Sequence, residues 1–192
     1  MAAPPQLQRV TDLALARGTL EAWVPPNDAQ AAERAAMLAF IDAHPNDAHL
    51  RSCVPGHLTA SCLLLNHAGT HALLTHHRKL KKWLQLGGHC DGDANLAHAA
   101  WLEAWEESGI DGIEIDPLPV DLDIHTIPAR PGEPEHLHLD SRFIARAPEG
   151  AKEVISSESI ELAWVSPADL AQLDTDTSVT RLFEIAFGAH WS

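Results

Sequence analysis

The spacing of apolar residues changes along the chain, and the changes divide it into helical and strand segments. Between residues 5 and 44 the apolar positions follow a helical period, most clearly in DAQAAERAAMLAFIDAH, and Pro25 and Pro26 divide this region into two predicted helices. After Pro45 the segments LTASCLLLN and HALLTHH, joined by the turn sequence HAGT, predict a β-hairpin. We therefore expect a sheet to begin near His57.

The second half of the chain adds further strands and helices. The segments VDLDIHTI and HLHLDSRFIAR alternate polar and apolar residues on either side of PARPGEPE, which predicts a second hairpin with a long connection. IELAWV predicts another strand, PADLAQL a short helix and TSVTRLFEIAF a terminal amphipathic helix. Strands and helices together indicate an α/β protein.

The segment between residues 83 and 110 contains the main candidate functional residues. It begins with the apolar piece WLQL, followed by a predicted turn at Gly87-Gly88, a polar loop and a helix that Asp91 or Asp93 would cap and Gly109 would end. At about 100° per residue, three glutamates share one arc of this helix, and its sequence contains no Lys or Arg to offset them. These are Glu103, Glu106 and Glu107. We therefore expect the charge of these glutamates to be offset either by side chains from elsewhere in the protein or by bound divalent ions.

The amino-acid composition limits the kinds of molecule that this protein is expected to bind. With 13 Lys and Arg against 27 Asp and Glu, the formal charge is −14, so we expect no nucleic-acid polymer as a partner. An acidic protein that handles phosphates needs a cation to bridge carboxylate and phosphate. The three cysteines form no C-x-x-C pair, and neither a signal-peptide pattern nor an apolar run of about 18 residues is present. We expect a cytoplasmic protein without membrane contact.

The segment GHCDGDANLAHAAWLEAWEESGI, residues 88–110, resembles the Nudix box G-x5-E-x7-R-E-U-x-E-E-x-G-U, where U is aliphatic. The positions that match at full spacing are Gly88, Glu103, Glu106, Glu107, Gly109 and Ile110. The flanking strands extend the resemblance over about residues 55–175. It implies a Nudix-type α/β/α sandwich with a mixed sheet over residues 53–192. A helical extension over residues 1–52 would cover the cleft or mediate formation of a homodimer.

The resemblance also implies a reaction, the metal-dependent hydrolysis of a diphosphate bond in a small nucleoside diphosphate derivative or related compound. Mg²⁺ or Mn²⁺ would be held by the three glutamates and the Gly88 carbonyl. Either Glu103 or Glu158 would orient or deprotonate the attacking water. Glu158 lies six residues before Trp164, and Glu161 is its competitor.

Two positions depart from the box. Ala94 stands where the family has its first glutamate, and Leu102 replaces an arginine that normally pairs with box carboxylates. Asp93 or Asp91 could partly stand in for the first, whereas nothing adjacent replaces the arginine. A domain with these changes could instead be a nucleotide-binding or regulatory module.

Histidines open two further alternatives. HLTASCLLLN and WLQLGGHCDGD resemble segments of isopentenyl-diphosphate isomerase, in which His57 and His89 would join the glutamates around the metal and a cysteine would transfer protons. Gly87 stands where that resemblance calls for cysteine, and Cys90 is displaced. A strand with His136, His138 and Asp140 on one face would be a zinc site, a wet sheet surface or a pocket wall. We assign substrate binding to four residues: His57, His89, His138 and Arg142.

Overall fold

The computed structural model describes residues 7–156 and 159–188. The helices are α1 (Ala14–Ala22), α2 (Asp28–Ala43), α3 (Leu96–Ser108), α4 (Pro167–Leu170) and α5 (Thr177–Phe187). The strands are β1 (Gly56–Leu65), β2 (Ala72–His77), β3 (Trp83–Leu84), β4 (Leu86–His89), β5 (Glu114–Ile115), β6 (Asp121–Ile127), β7 (His136–Arg146) and β8 (Ser159–Val165). No helix among the described residues is long and apolar enough to cross a bilayer.

Strand β1 is the centre of one mixed sheet. It pairs in parallel with β7 along its whole length, and on its other side it pairs antiparallel with β4 and then with β2. β7 in turn pairs with β6 and β5, and β2 pairs with β8 and β3. Every residue of β1 is buried, as expected for a strand that is covered on both faces.

The two faces of β1 belong to two hydrophobic clusters. Leu58, Ala60 and Cys62 share a core with Trp101 and Ala104 of α3. At alternate positions, Leu63 and Leu65 pack with side chains of α5, namely Val179, Leu182 and Phe183. Helices thus cover both faces, and the predicted α/β/α sandwich with a mixed sheet is confirmed.

The two predicted N-terminal helices are present as α1 and α2, on either side of Pro25-Pro26. They share the α3-side core through residues such as Leu20 and Met37. Helix α2 is also joined to β6, because the Gln30 amide donates to the Leu122 carbonyl at 2.9 Å and accepts from the Leu122 N–H at 2.8 Å. The domain boundary between residues 52 and 53 stays a prediction.

Both predicted hairpins are confirmed, as the antiparallel pairs β1–β2 and β6–β7. The predicted turn at Gly87-Gly88 is wrong, because both glycines lie inside β4 and pair with Ser61 and Ala60. Because glycine has no side chain, neighbouring atoms can approach the backbone of β4 closely at these two positions. A Cβ on Gly87 would lie 2.3 Å from the Ser61 Cβ.

Candidate functional site

Helix α3 is fixed at both ends by its own sequence. Its N-cap is Asn95, whose side chain accepts from the His98 N–H, so the prediction of Asp91 or Asp93 as the cap is wrong by two residues or more. Gly109 ends the helix as predicted, in the left-handed conformation with φ 65°, and its N–H donates to the Trp105 carbonyl at 2.8 Å. The two ends of α3 are therefore set by residues of the helix and its immediate flanks.

The three glutamates occupy different depths on α3. Glu106 is exposed, Glu103 is half-buried and Glu107 is only 7% exposed. Glu107 faces the sheet near Cys62, since burial and then the charge of Glu107 raise the pKa of that thiol. Across the arc, burial thus increases from Glu106 through Glu103 to Glu107, which lies nearest to β1.

Gly88 and Glu103 meet across the gap between β4 and α3. A Cβ on Gly88 would lie 2.6 Å from the Glu103 carboxyl carbon, so any other residue here would displace that carboxylate. The Glu103 carboxylate thus lies directly beside the backbone of β4. The groups of ligand atoms that lie within 4.8 Å of one another among the described residues do not include the three glutamates. Mg²⁺ and Mn²⁺ prefer carboxylate and carbonyl oxygens, so the residue types match the predicted metal, and the metal site itself stays a prediction.

The loop before α3 is bound by the N-terminal segment. Ala94 is fully buried, and its N–H donates to the Val10 carbonyl at 2.5 Å. The Asp93 carboxylate accepts from the N–H groups of Val10 and Asn95. The box position that lacks its glutamate is therefore covered by the chain's own N-terminal segment, and Asp93 is engaged in holding that segment.

Asp91 and Leu102 have equally definite contacts. The Asp91 carboxylate accepts two hydrogen bonds from Arg51, at 2.6 and 2.7 Å, and these lower the pKa of Asp91. Leu102 is half-buried and packs against the α3-side core. An apolar contact has taken the place of the family's arginine.

On the opposite side of the sheet, five histidine rings lie together, and we call them the histidine cluster. They come from β1, β4, β6 and β7 and are His57, His89, His125, His136 and His138. Ring centroids of neighbouring members are 4.9–5.4 Å apart. Burial lowers the pKa of His57, lowers that of His89 to about 4 and lowers that of His138 to about 2, so these three rings are neutral near pH 7.

Arg142, a predicted substrate-binding residue, lies next to this cluster but is only 2% exposed. Its guanidinium contacts three carboxylates, Asp140 at 2.9 Å, Asp123 at 3.0 Å and Asp121 at 3.3 Å. Arg181 of α5 joins the same network. The structure thus places Arg142 in a buried ionic network, and its binding of substrate stays a prediction.

The structure brings the predicted site residues into two groups. Gly88 and the three glutamates lie on the α3 side, while His57, His89 and His138 lie on the other side. Glu158 lies outside the described residues, and its competitor Glu161 is exposed on β8, opposite His76 of β2.

Sequence reasoning missed His125 and the aspartates of β6 as neighbours of the cluster. The signal was the alternation in DLDIHTI, which places Asp121, Asp123 and His125 on one face. Only the register of β6 against β7 shows which residues they oppose, for instance His125 opposite His138.

Comparison with known proteins adds a sequence match and several structural likenesses. The family model for the NUDIX domain matches residues 55–183. No match was found among curated proteins. A NUDIX-family hydrolase from Clostridium perfringens has a TM-score of 0.54 at 23% identity over 68% of this chain and 96% of that one.

Two further solved structures have the same architecture. A C. elegans Ap4A hydrolase has a TM-score of 0.54 at 18% identity over 68% of this chain and 93% of that one. The NUDIX domain of Shewanella oneidensis NrtR, complexed with ADP ribose, has a TM-score of 0.53 at 19% identity over 80% of this chain and 96% of that one. At these identities the likeness concerns the fold.

Proposed function

Since the match to the family model over residues 55–183 shows that the chain belongs to the Nudix family, we propose that it hydrolyses a diphosphate bond in a small nucleoside diphosphate derivative. The observation that carries this proposal is the contact between Gly88 and Glu103. The Glu103 carboxylate lies beside the backbone of β4, and Glu107, one turn further along α3, is buried. Because fold alone would not support an activity, the proposal rests on this contact together with the acidic residues of α3.

Glu103, Glu106, Glu107 and the Gly88 carbonyl would hold Mg²⁺ or Mn²⁺. When bound, the ion would neutralise charge on the diphosphate and lower the pKa of a bound water. The protein's own contribution is positional. Gly88 leaves space for Glu103, and burial restricts the Glu107 side chain, so these two carboxylates would be positioned before the substrate binds.

One carboxylate must orient or deprotonate the attacking water, and we propose Glu103 or Glu158 for this task. Glu103 has the support of its place beside Gly88. Replacing the base should lower kcat with little change in metal affinity, whereas replacing a metal ligand should lower both. Glu103→Gln and Glu158→Gln, compared by kcat and by Mn²⁺ affinity, would therefore separate the two roles.

The isomerase alternative needs a cysteine that exchanges protons. Cys62 and Cys90 are buried, and burial raises the pKa of both thiols. A thiol in such surroundings is inert, because the thiolate is the reactive form. This favours hydrolysis over isomerisation.

A catalytically weakened nucleotide-binding module is the second candidate, and a specific observation favours it. Ala94 is buried beneath the N-terminal segment, so the first box glutamate has no equivalent at its own position. Binding of a nucleoside diphosphate without turnover would identify this function.

The test is a substrate panel with Mg²⁺ or Mn²⁺, starting with ADP-ribose and dinucleoside polyphosphates and including isopentenyl diphosphate. Glu106→Gln and Glu107→Gln should each lower turnover by at least about 100-fold with little change in unfolding temperature. Glu114→Gln, an exposed glutamate on β5, is the matched control and should keep full activity. Full turnover in both α3 variants would refute the proposed site.

A further inference from the structure

Three members of the histidine cluster converge from three strands. His57 of β1 lies opposite His138 of β7, and His89 of β4 lies opposite Thr59, two residues along β1 from His57. Because side chains alternate along a strand, the three rings project from the same face of the sheet. The ring centroids are 4.9–5.0 Å apart, and one nitrogen from each ring lies within 4.8 Å of the others.

The central ring lacks the partners that a buried imidazole needs. His57 is 3% exposed, and among the described residues neither of its ring nitrogens has a hydrogen-bond partner of good geometry. Burial lowers its pKa, and the Cys53 backbone offsets part of that effect. Buried polar groups are almost always satisfied by protein, water or an ion, so this ring indicates a bound species.

We propose that His57, His89 and His138 bind a divalent transition-metal ion of the Zn²⁺, Co²⁺ or Ni²⁺ class. A tetrahedral ion needs three nitrogens at about 2.0–2.1 Å from it, which places them about 3.3 Å from one another. From a separation of up to 4.8 Å, each nitrogen would move by about 1 Å or less, which small ring rotations supply. Three protein ligands leave the fourth position open.

This site is separate from the carboxylates of α3. A Cβ on Gly88 would point towards Glu103. Because side chains alternate along a strand, the side chain of the next residue, His89, projects from the opposite face of the sheet. The donors also differ in kind, since neutral imidazole suits Zn²⁺, Co²⁺ and Ni²⁺, whereas carboxylate and carbonyl oxygens suit Mg²⁺ and Mn²⁺. Arg51, whose charge acts on His57 and His89, is bonded to Asp91, which limits its repulsion of a cation.

The first experiment titrates Co²⁺ into the full chain after chelator treatment and follows the visible absorption of the ion. We expect one tightly bound Co²⁺ with a spectrum of nitrogen ligation, displaced by equimolar Zn²⁺ and unaffected by millimolar Mg²⁺. His89→Asn and His138→Asn should each weaken binding by about 10- to 100-fold or more. His67→Asn, at an exposed turn outside the cluster, is the matched control and should bind as the parent does.

A second group of metal-ligand type must be distinguished, since His44, Asp47 and Cys53 also bring ligand atoms within 4.8 Å. Co²⁺ bound there would show thiolate-to-metal charge transfer that Cys53→Ser abolishes. The histidine site predicts no such band and unchanged binding in Cys53→Ser. Binding that Cys53→Ser removes and His138→Asn preserves would overturn the proposal.

A measurement on the unsubstituted protein does not depend on whether variants fold. X-ray absorption of the Zn²⁺-loaded chain should show nitrogen neighbours at about 2.0–2.1 Å with imidazole scattering. Sulfur at about 2.3 Å, or a shell of oxygen alone, would refute the histidine site. Glu106→Gln combined with Glu107→Gln should abolish hydrolysis yet retain Co²⁺ binding, and loss of Co²⁺ in that double variant would assign the ion to α3 instead.

Discussion

Adjacent glycines of β4 offer a test of the α3 site in which one substitution should affect activity and the other folding. In Gly88→Ala the new Cβ would lie 2.6 Å from the Glu103 carboxyl carbon, and ordinary contact begins at 3.4 Å, so the carboxylate must retreat by 3.4 − 2.6 = 0.8 Å. It is the far end of a flexible side chain, and it can move without moving backbone. Misplacement of a catalytic group by about 1 Å can cost about 100-fold in rate, so we expect a 10- to 100-fold loss of kcat/KM.

Gly87→Ala is the matched control because its Cβ would contact strand β1 instead of Glu103. It would lie 2.3 Å from the Ser61 Cβ and 2.6 Å from the Ser61 Cα, so strand β1 itself must shift. Overpacking of this kind costs about 1–3 kcal/mol or more. The unfolding free energy should therefore fall in Gly87→Ala, while Gly88→Ala should unfold within about 1 kcal/mol of the parent.

The assay pairs steady-state hydrolysis of the best substrate from the panel with urea denaturation of each variant. The decisive comparison is activity per folded molecule at saturating Mg²⁺. If Gly88→Ala kept full kcat/KM, the Glu103 carboxylate would not be needed at the position that Gly88 leaves open for it. If both variants lost stability equally, the assignment of the two glycines to opposite faces would be wrong.

Three further predictions concern stability. Arg142→Met leaves three aspartates with one partner fewer in a buried network, and the unfolding free energy should fall by about 3–5 kcal/mol; an unchanged urea midpoint would contradict the network. Gln30→Ala leaves the Leu122 N–H and carbonyl without their partners and should cost about 1–3 kcal/mol, whereas Gln30→Glu sets a carboxylate oxygen against the Leu122 carbonyl and should cost at least as much. Burial lowers the pKa of His49 below 6.5, so the unfolded chain binds that proton first and the parent loses stability as the pH falls below 6.5. His49→Gln should flatten that decline by at most about 1.4 kcal/mol per pH unit, and equal slopes in pH-dependent denaturation would refute the assignment.

What the sequence determined by itself is local. The arc of Glu103, Glu106 and Glu107 follows from the helical period alone, and the end of the helix follows from Gly109, which adopts the left-handed conformation without steric cost. The two hairpins were likewise predictable, since alternation and turn residues lie within contiguous segments. A match of such elements to the Nudix box then gave the fold, because the spacing of the box is itself a local property.

Only the tertiary structure decided what those elements contact. The pair Gly87-Gly88 is typical of a turn, yet both residues lie in a strand because Ser61 and Glu103 approach them from opposite sides. Arg142 is a predicted substrate-binding residue, whereas its carboxylate partners on β6 are set by strand register. The histidine cluster has the same origin, since its rings come from four strands. Register depends on the free energy of the whole sheet and its covering helices, and no contiguous stretch of sequence contains that information.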